Sequence, residues 1–138
     1  MADYKLFIPG VLEDEGFISN DAADKGGLTI WGLTKVADKD WEGWKIVDGY
    51  IKKNPAYPHG LSAEKEQLKQ LAIPYYKTKY WDKVRGDEIK SQLVAKELAD
   101  EAINAGIGAA IKTAQTVTGF NSNGEMSNDL INNLNNMA

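Results

Sequence analysis

Cysteine is absent from the 138 residues, which excludes disulfides and thiolate metal sites and leaves packing as the source of stability. Histidine occurs once, at His59, in the turn-rich run NPAYPHGLS between two expected helices. A histidine-based metal site or a Ser-His pair would have to be built around that single residue, and a loop histidine is the simpler reading. No apolar run approaches the roughly 18 residues of a membrane-spanning helix. The start, MADYKLFIPG, has neither a basic leader nor a long apolar stretch, so the expectation is synthesis in the cytoplasm without a signal peptide and no membrane insertion. Basic charge is in deficit: 16 Lys and Arg against 20 Asp and Glu give a net charge of -4. That argues against a nucleic-acid partner, because such binding draws on clustered cations that neutralise phosphates. What remains is ordinary for a globular chain, 43% hydrophobic and 26% charged, and at this length one domain with a real core is expected.

Asp3 as a cap, followed by Leu6, Phe7, Val11 and Leu12 at helical spacing, predicts a helix that reaches Asp14 or Glu15 and stops at Gly16. Pro9 fits only if it falls in the first turn. Residues 17–33 read as loop, a tight turn at Gly26-Gly27 and the extended Leu28-Thr29-Ile30-Trp31, together a small β-hairpin. Thr34 to Ala37 read as a helix start. Asp40 is the expected cap of WEGWKIVDGYIKKN, whose Trp41, Trp44, Val47, Tyr50 and Ile51 share one face. Ser62 caps the next helix, with a kink or break at Pro74. Ser91 caps SQLVAKELADEAINAG, with Leu93, Val94, Leu98, Ala102 and Ile103 as the buried stripe and Gly106 as the stop. IGAAIKTAQTVTG is small and apolar enough for a central helix, and a last helix runs from Ser127 to about Asn136 with a fraying NNLNNMA end. The class is mainly α with one small β element.

Glu15 is the residue with most chemistry in it. A helix C-terminus carries partial negative charge, to which Glu13 and Asp14 add, so a partly buried carboxyl there holds its proton and can act as a general acid. A solvated acidic helix end is the equally weighted alternative. Tyr75, Tyr76, Tyr80 and Trp81 form an aromatic cluster that reads mostly as core, with one or two rings reaching a cleft as a wall for sugar stacking. Asp100 and Asn104, four apart, share a helix face on which one side chain could brace the other or a neighbouring loop.

Glu15-Gly16, Asn20-Asp21, Asp24, Gly26-Gly27, Thr29, Gly32 and Thr34 resemble the signature of glycoside hydrolase family 108. These are lysozyme-like N-acetylmuramidases of phage lysis cassettes and of bacterial proteins labelled secretion activators. YYKTKYWDKVRGDEI resembles the family's Tyr-Trp segment, and DEAINAGIGAAIKTAQ its Asp, Asn-x-Gly and Gln helix pair. The tail NSNGEMSNDLINNLN only weakly resembles the peptidoglycan-binding module that usually closes these proteins. Phe17 and Ala22 depart from the family's second glycine and its Asp-Pro pair.

The resemblance implies a lysozyme-like muramidase domain over 1–120, with 121–138 a C-terminal helix left over from the binding module and packed on the same domain. It implies cleavage of the β-1,4 bond between N-acetylmuramic acid and N-acetylglucosamine with Glu15 as acid, no metal or organic cofactor, and a monomer that reaches the wall or periplasm after release through a holin-dependent route. Asp24 and Thr29 fall near the spacing at which phage lysozymes orient a water, with Asp21 competing for that role and a turn-bonding part for Asp24 equally weighted. Asp21, Trp31, Tyr76, Tyr80, Trp81 and Asn104 are the expected glycan contacts. A non-catalytic wall-binding or secretion-accessory protein and a lytic transglycosylase are the alternatives.

Overall fold

The computed structural model describes residues 1–19, 28–54 and 61–137. They divide into two compact units, Met1–Ile8 with Tyr76–Ala138 and Pro9–Tyr75. Helix α1, Tyr4–Glu15, contributes to both. Its start is fixed by Asp3, whose Oδ1 accepts the Lys5 amide at 2.9 Å, and its end by Gly16 at φ +75°. The buried stripe is Tyr4, Phe7, Ile8, Val11 and Leu12, steps of three and four residues, whereas Leu6 is exposed. Pro9 lies inside the helix and not in its first turn. It sits on the exposed face, where water can take the carbonyl that a proline leaves without a donor.

In the Pro9–Tyr75 unit, strands β1 (Ile18–Ser19) and β2 (Thr29–Ile30) pair antiparallel with Ile18 opposite Ile30 and Ser19 opposite Thr29. The expected Gly26-Gly27 turn lies outside the described residues. A second tight turn follows at once, because Ile30 and Leu33 exchange both backbone bonds, at 3.0 and 2.9 Å, around Trp31 and Gly32. Both central residues have positive φ, +50° and +82°, the pattern of a type I′ turn. The strand expected to run through Trp31 therefore stops at Ile30.

Thr34–Asp38 does not start a helix. It closes as a single turn: the Asp38 amide donates to the Thr34 carbonyl at 2.7 Å, and the Thr34 amide donates to Asp38 Oδ2 at 3.0 Å. Asp38 is buried, and Tyr75 Oη donates to Asp38 Oδ1 at 3.2 Å and Asp40 Oδ1 at 2.8 Å. Burial, reinforced by the bond to Asp40, pushes the Tyr75 phenol well above its ordinary range. Asp40 thus serves Tyr75 and does not cap helix α2, Gly43–Lys53, whose first-turn flank is Glu42.

Gly43 is a packing requirement more than a weakness of that helix. A Cβ added there would lie 2.4 Å from Trp41 Cζ2, and Trp41 is itself buried edge-on to Trp44 with ring centroids 5.2 Å apart. Gly43→Ala should therefore cost about 1–3 kcal/mol despite its better helix propensity. The check is a thermal melt, with Gly49→Ala as control because a Cβ at Gly49 meets nothing within 4 Å. A 3-10 turn, Leu61–Glu64, leads into helix α3, Lys65–Tyr76, so Ser62 lies within that turn and does not cap the helix. Pro74 neither breaks nor ends α3, and the chain leaves it through a π-helical turn, Lys77–Trp81.

The other unit is built on helices α4 (Gln92–Ala105), α5 (Ile107–Thr118) and α6 (Asn128–Met137). Ser91 caps α4 by accepting the Val94 amide at 3.2 Å. The face of α4 that is buried is Ala95, Leu98, Ala99 and Ala102, so Leu93 is exposed instead of lying in the core. Helix α5 buries only Ala110, Ile111 and Gln115, and is amphipathic where a wholly central helix was expected. Gln115 pins the following loop: its Nε2 donates to Asn123 Oδ1 at 2.8 Å and to the Glu125 carbonyl at 3.0 Å, while its Oε1 accepts the Gly124 amide at 2.9 Å. The Asn-rich end of α6 does not fray at Asn135, which accepts the Lys90 amide and donates to the Glu88 carbonyl, both at 2.9 Å.

Candidate active site

Helix α1 carries Glu15 to its last position, and Gly16 in the left-handed region turns the chain directly into β1. Only glycine adopts that conformation without cost, so the acid and the strand stay adjacent by construction. Two residues on, the Phe17 carbonyl accepts the Trp31 amide at 2.7 Å, and the two rings pack 5.3 Å apart at 44°. Trp31 is 7% exposed, and its indole N–H points to the Lys65 carbonyl at 3.4 Å. The Lys65 ammonium lies 5.8 Å from the Phe17 ring centre and 5.9 Å from that of Trp31. A left-handed backbone on a bulky residue costs about 1–2 kcal/mol and persists only where surroundings over-determine it. Here an amide bond, a ring contact and a cation over both rings do so. Phe17 thus helps hold the hairpin at the end of α1. Thr29, half-buried, is in β2 opposite Ser19, four residues along the chain from Glu15, and Trp31 is the residue bonded beside the helix end.

Glu15 is exposed. The half-burial that the general-acid argument starts from is absent, because α1 ends at the surface with Glu13, Asp14 and Glu15 all facing solvent. Asp21 and Asp24 lie outside the described residues. The remaining sequence-predicted contacts belong to the other unit. Trp81 is wholly buried against Tyr4 and Phe7, with centroids 5.5 and 5.2 Å away, and its indole donates to Asp87 Oδ1 at 2.8 Å. Tyr76 is also buried, stacked 5.8 Å from Tyr80. Neither Trp81 nor Tyr76 offers a free ring face, since both complete the core; Tyr80 is half-buried and Asn104 is exposed near the end of α4. Asp100 does not brace Asn104, its Oδ2 accepting Lys96 Nζ at 2.8 Å instead. Sequence reasoning missed Lys65. The one available signal was its place at the head of α3, and nothing local announces that it covers two rings from another element.

A mainly helical chain with one short hairpin fits a mainly-α, lysozyme-like fold. The chain belongs to the glycosyl hydrolase 108 family, which matches it over residues 8–106. Ten chains of solved structures also match, among them Brucella abortus SagA, with a TM-score of 0.69 and 29% identity over 98% of this chain and 70% of that one. No curated protein sequence is a match. Membership makes the protein a glycoside hydrolase, and peptidoglycan hydrolysis is the general activity of the family. Among the described residues, no helix is long and apolar enough to cross a membrane.

Proposed function

We propose that the protein is an N-acetylmuramidase that cleaves the β-1,4 bond between N-acetylmuramic acid and N-acetylglucosamine, with Glu15 as the general acid. The observation that carries this reading is the placement of Glu15 at the α1 terminus, beside a left-handed glycine that leads into the hairpin, in a chain of this family. Glu15 protonates the glycosidic oxygen as the bond to the anomeric carbon breaks, and the resulting oxocarbenium-like centre is met by a water or a second carboxylate. Sugar rings seated over the helix end supply the exclusion of water that the free protein leaves to solvent. Asp24 orients the water with Thr29 holding it, and Asp21 competes with Asp24 for that part. Of the expected glycan contacts in residues 76–138, Tyr80 and Asn104 keep that part, because they are accessible, whereas Trp31, Tyr76 and Trp81 are buried within their own units. The catalytic domain spans 1–120, residues 121–138 are a remnant of a peptidoglycan-binding module packed on the same domain, and a holin-dependent route brings a monomer to the wall of a phage-infected or prophage-bearing cell.

Release of dye-labelled fragments from purified, protein-free peptidoglycan tests this directly. The expected result is soluble saccharide release that needs no added metal. Sedimentation of the protein with the wall and no release would contradict the enzyme and leave a wall-binding accessory in its place.

A further inference from the structure

Three of the large apolar side chains that the described surface leaves most open, Leu93, Val117 and Met137, come from three different helices and line one cavity of about 720 Å³. Its floor is closed by Leu98 and Leu134. Single exposed apolar residues need no explanation, but a shared concave patch built from α4, α5 and α6 does. The charged side chains in its lining have one sign. Glu97, Asp100 and Glu101 line it, and no lysine or arginine does. Asp100 is paired with Lys96 and Glu101 accepts Thr113 Oγ1 at 2.7 Å, while Glu97 has no partner among the described residues. The α4 lining runs from Leu93 to Asn104, which at the helical rise is about 17 Å, three turns of a helix.

We propose that this groove docks a cationic amphipathic helix from a partner protein, with apolar anchors at i, i+3 or i+4 and i+7 against Leu93, Val117 and Met137, and lysine or arginine on its flanks facing Glu97 and Glu101. The length selects an elongated ligand, and the apolar floor selects an anchoring face. The acidic rim selects positive charge and disfavours the other occupants: a second copy carries net charge -4 and the same rim, and an anionic lipid surface would be repelled. The groove is lined by residues of one unit, includes neither Glu15 nor Tyr80, and shares only Asn104 with the proposed glycan contacts.

The test is fluorescence anisotropy with a short fluorescein-labelled peptide of leucine and lysine whose leucines fall on one helical face. Saturable one-site binding is expected. It should weaken at least tenfold, a loss of about 1.4 kcal/mol, for a peptide of the same composition with the leucines scattered, and also for one with glutamate in place of lysine. Leu93→Ser and Glu97→Lys, both at exposed positions, should each weaken it by a similar factor. Equal binding of the scattered peptide would reduce the effect to charge attraction and overturn the proposal, as would tighter binding of the glutamate peptide or no saturation. Self-association in the ultracentrifuge that Leu93→Ser abolishes would also overturn it, by assigning the groove to a second copy. The peptide comparisons use the unaltered protein, so they decide even where a variant folds poorly.

Discussion

Replacing Glu15 by glutamine should lower turnover on peptidoglycan by about 10²–10⁴-fold, the usual contribution of a positioned general acid. The amide keeps the shape of the side chain and its hydrogen-bonding reach but has no acidic proton to give to the leaving oxygen. Because Glu15 is exposed, the substitution should shift stability by no more than about 0.5 kcal/mol. The loss should fall on kcat, with wall binding and the thermal midpoint kept, as for an interaction used only in the transition state. A fall in activity matched by a fall in midpoint would point to a structural role instead. Initial rates of fragment release and a melting curve on the same preparations separate the two.

Trp81→Ala should be the most damaging single change to the fold. The side chain is fully buried between Tyr4 and Phe7, and its indole N–H is the donor to Asp87. Gly86 is shaped around it, since a Cβ there would lie 2.2 Å from Trp81 Cε2. Removing the ring leaves a cavity among aromatic neighbours that cannot collapse without moving α1, and large aromatic truncations of this kind cost about 3–5 kcal/mol. Against a typical total stability of about 5–15 kcal/mol, that is enough to unfold a marginal domain. Denaturant titration of Trp81→Ala beside Trp81→Phe would measure it. Phenylalanine keeps much of the packing and loses the hydrogen bond, so it should cost clearly less than alanine. Equal stability of Trp81→Ala and wild type would mean that the ring is not the centre of this core.

The elements that announce themselves in sequence are those whose ends are chemically marked. Asp3 and Gly16 bound α1, Ser91 and Gly106 bound α4, and Ser127 opens α6 by accepting the Leu130 amide. Facing is harder to read, because neighbouring residues on a helix differ by about 100° and an apolar residue just off the stripe satisfies the same spacing. Leu6 and Leu93 are such residues. Other features depend on partners distant in the chain. The Thr34–Asp38 turn leans on Tyr75, and the end of α6 is held by Glu88 and Lys90, more than forty residues away. At the site, Glu15 and its glycine are visible because a helix end and a left-handed residue leave a signature. The left-handed Trp31 is not, since sterics disfavour it and contacts with Phe17 and Lys65, from other parts of the chain, help hold it.

Borohydride-reduced products of purified peptidoglycan, resolved by mass spectrometry after digestion by wild type and by Glu15→Gln, test the central claim most directly. The muramidase reading predicts fragments ending in reduced N-acetylmuramic acid from the wild-type protein, and their loss with the variant. Fragments ending in anhydro-muramic acid would contradict hydrolysis and make the protein a lytic transglycosylase, and undiminished products from Glu15→Gln would remove Glu15 from the chemistry.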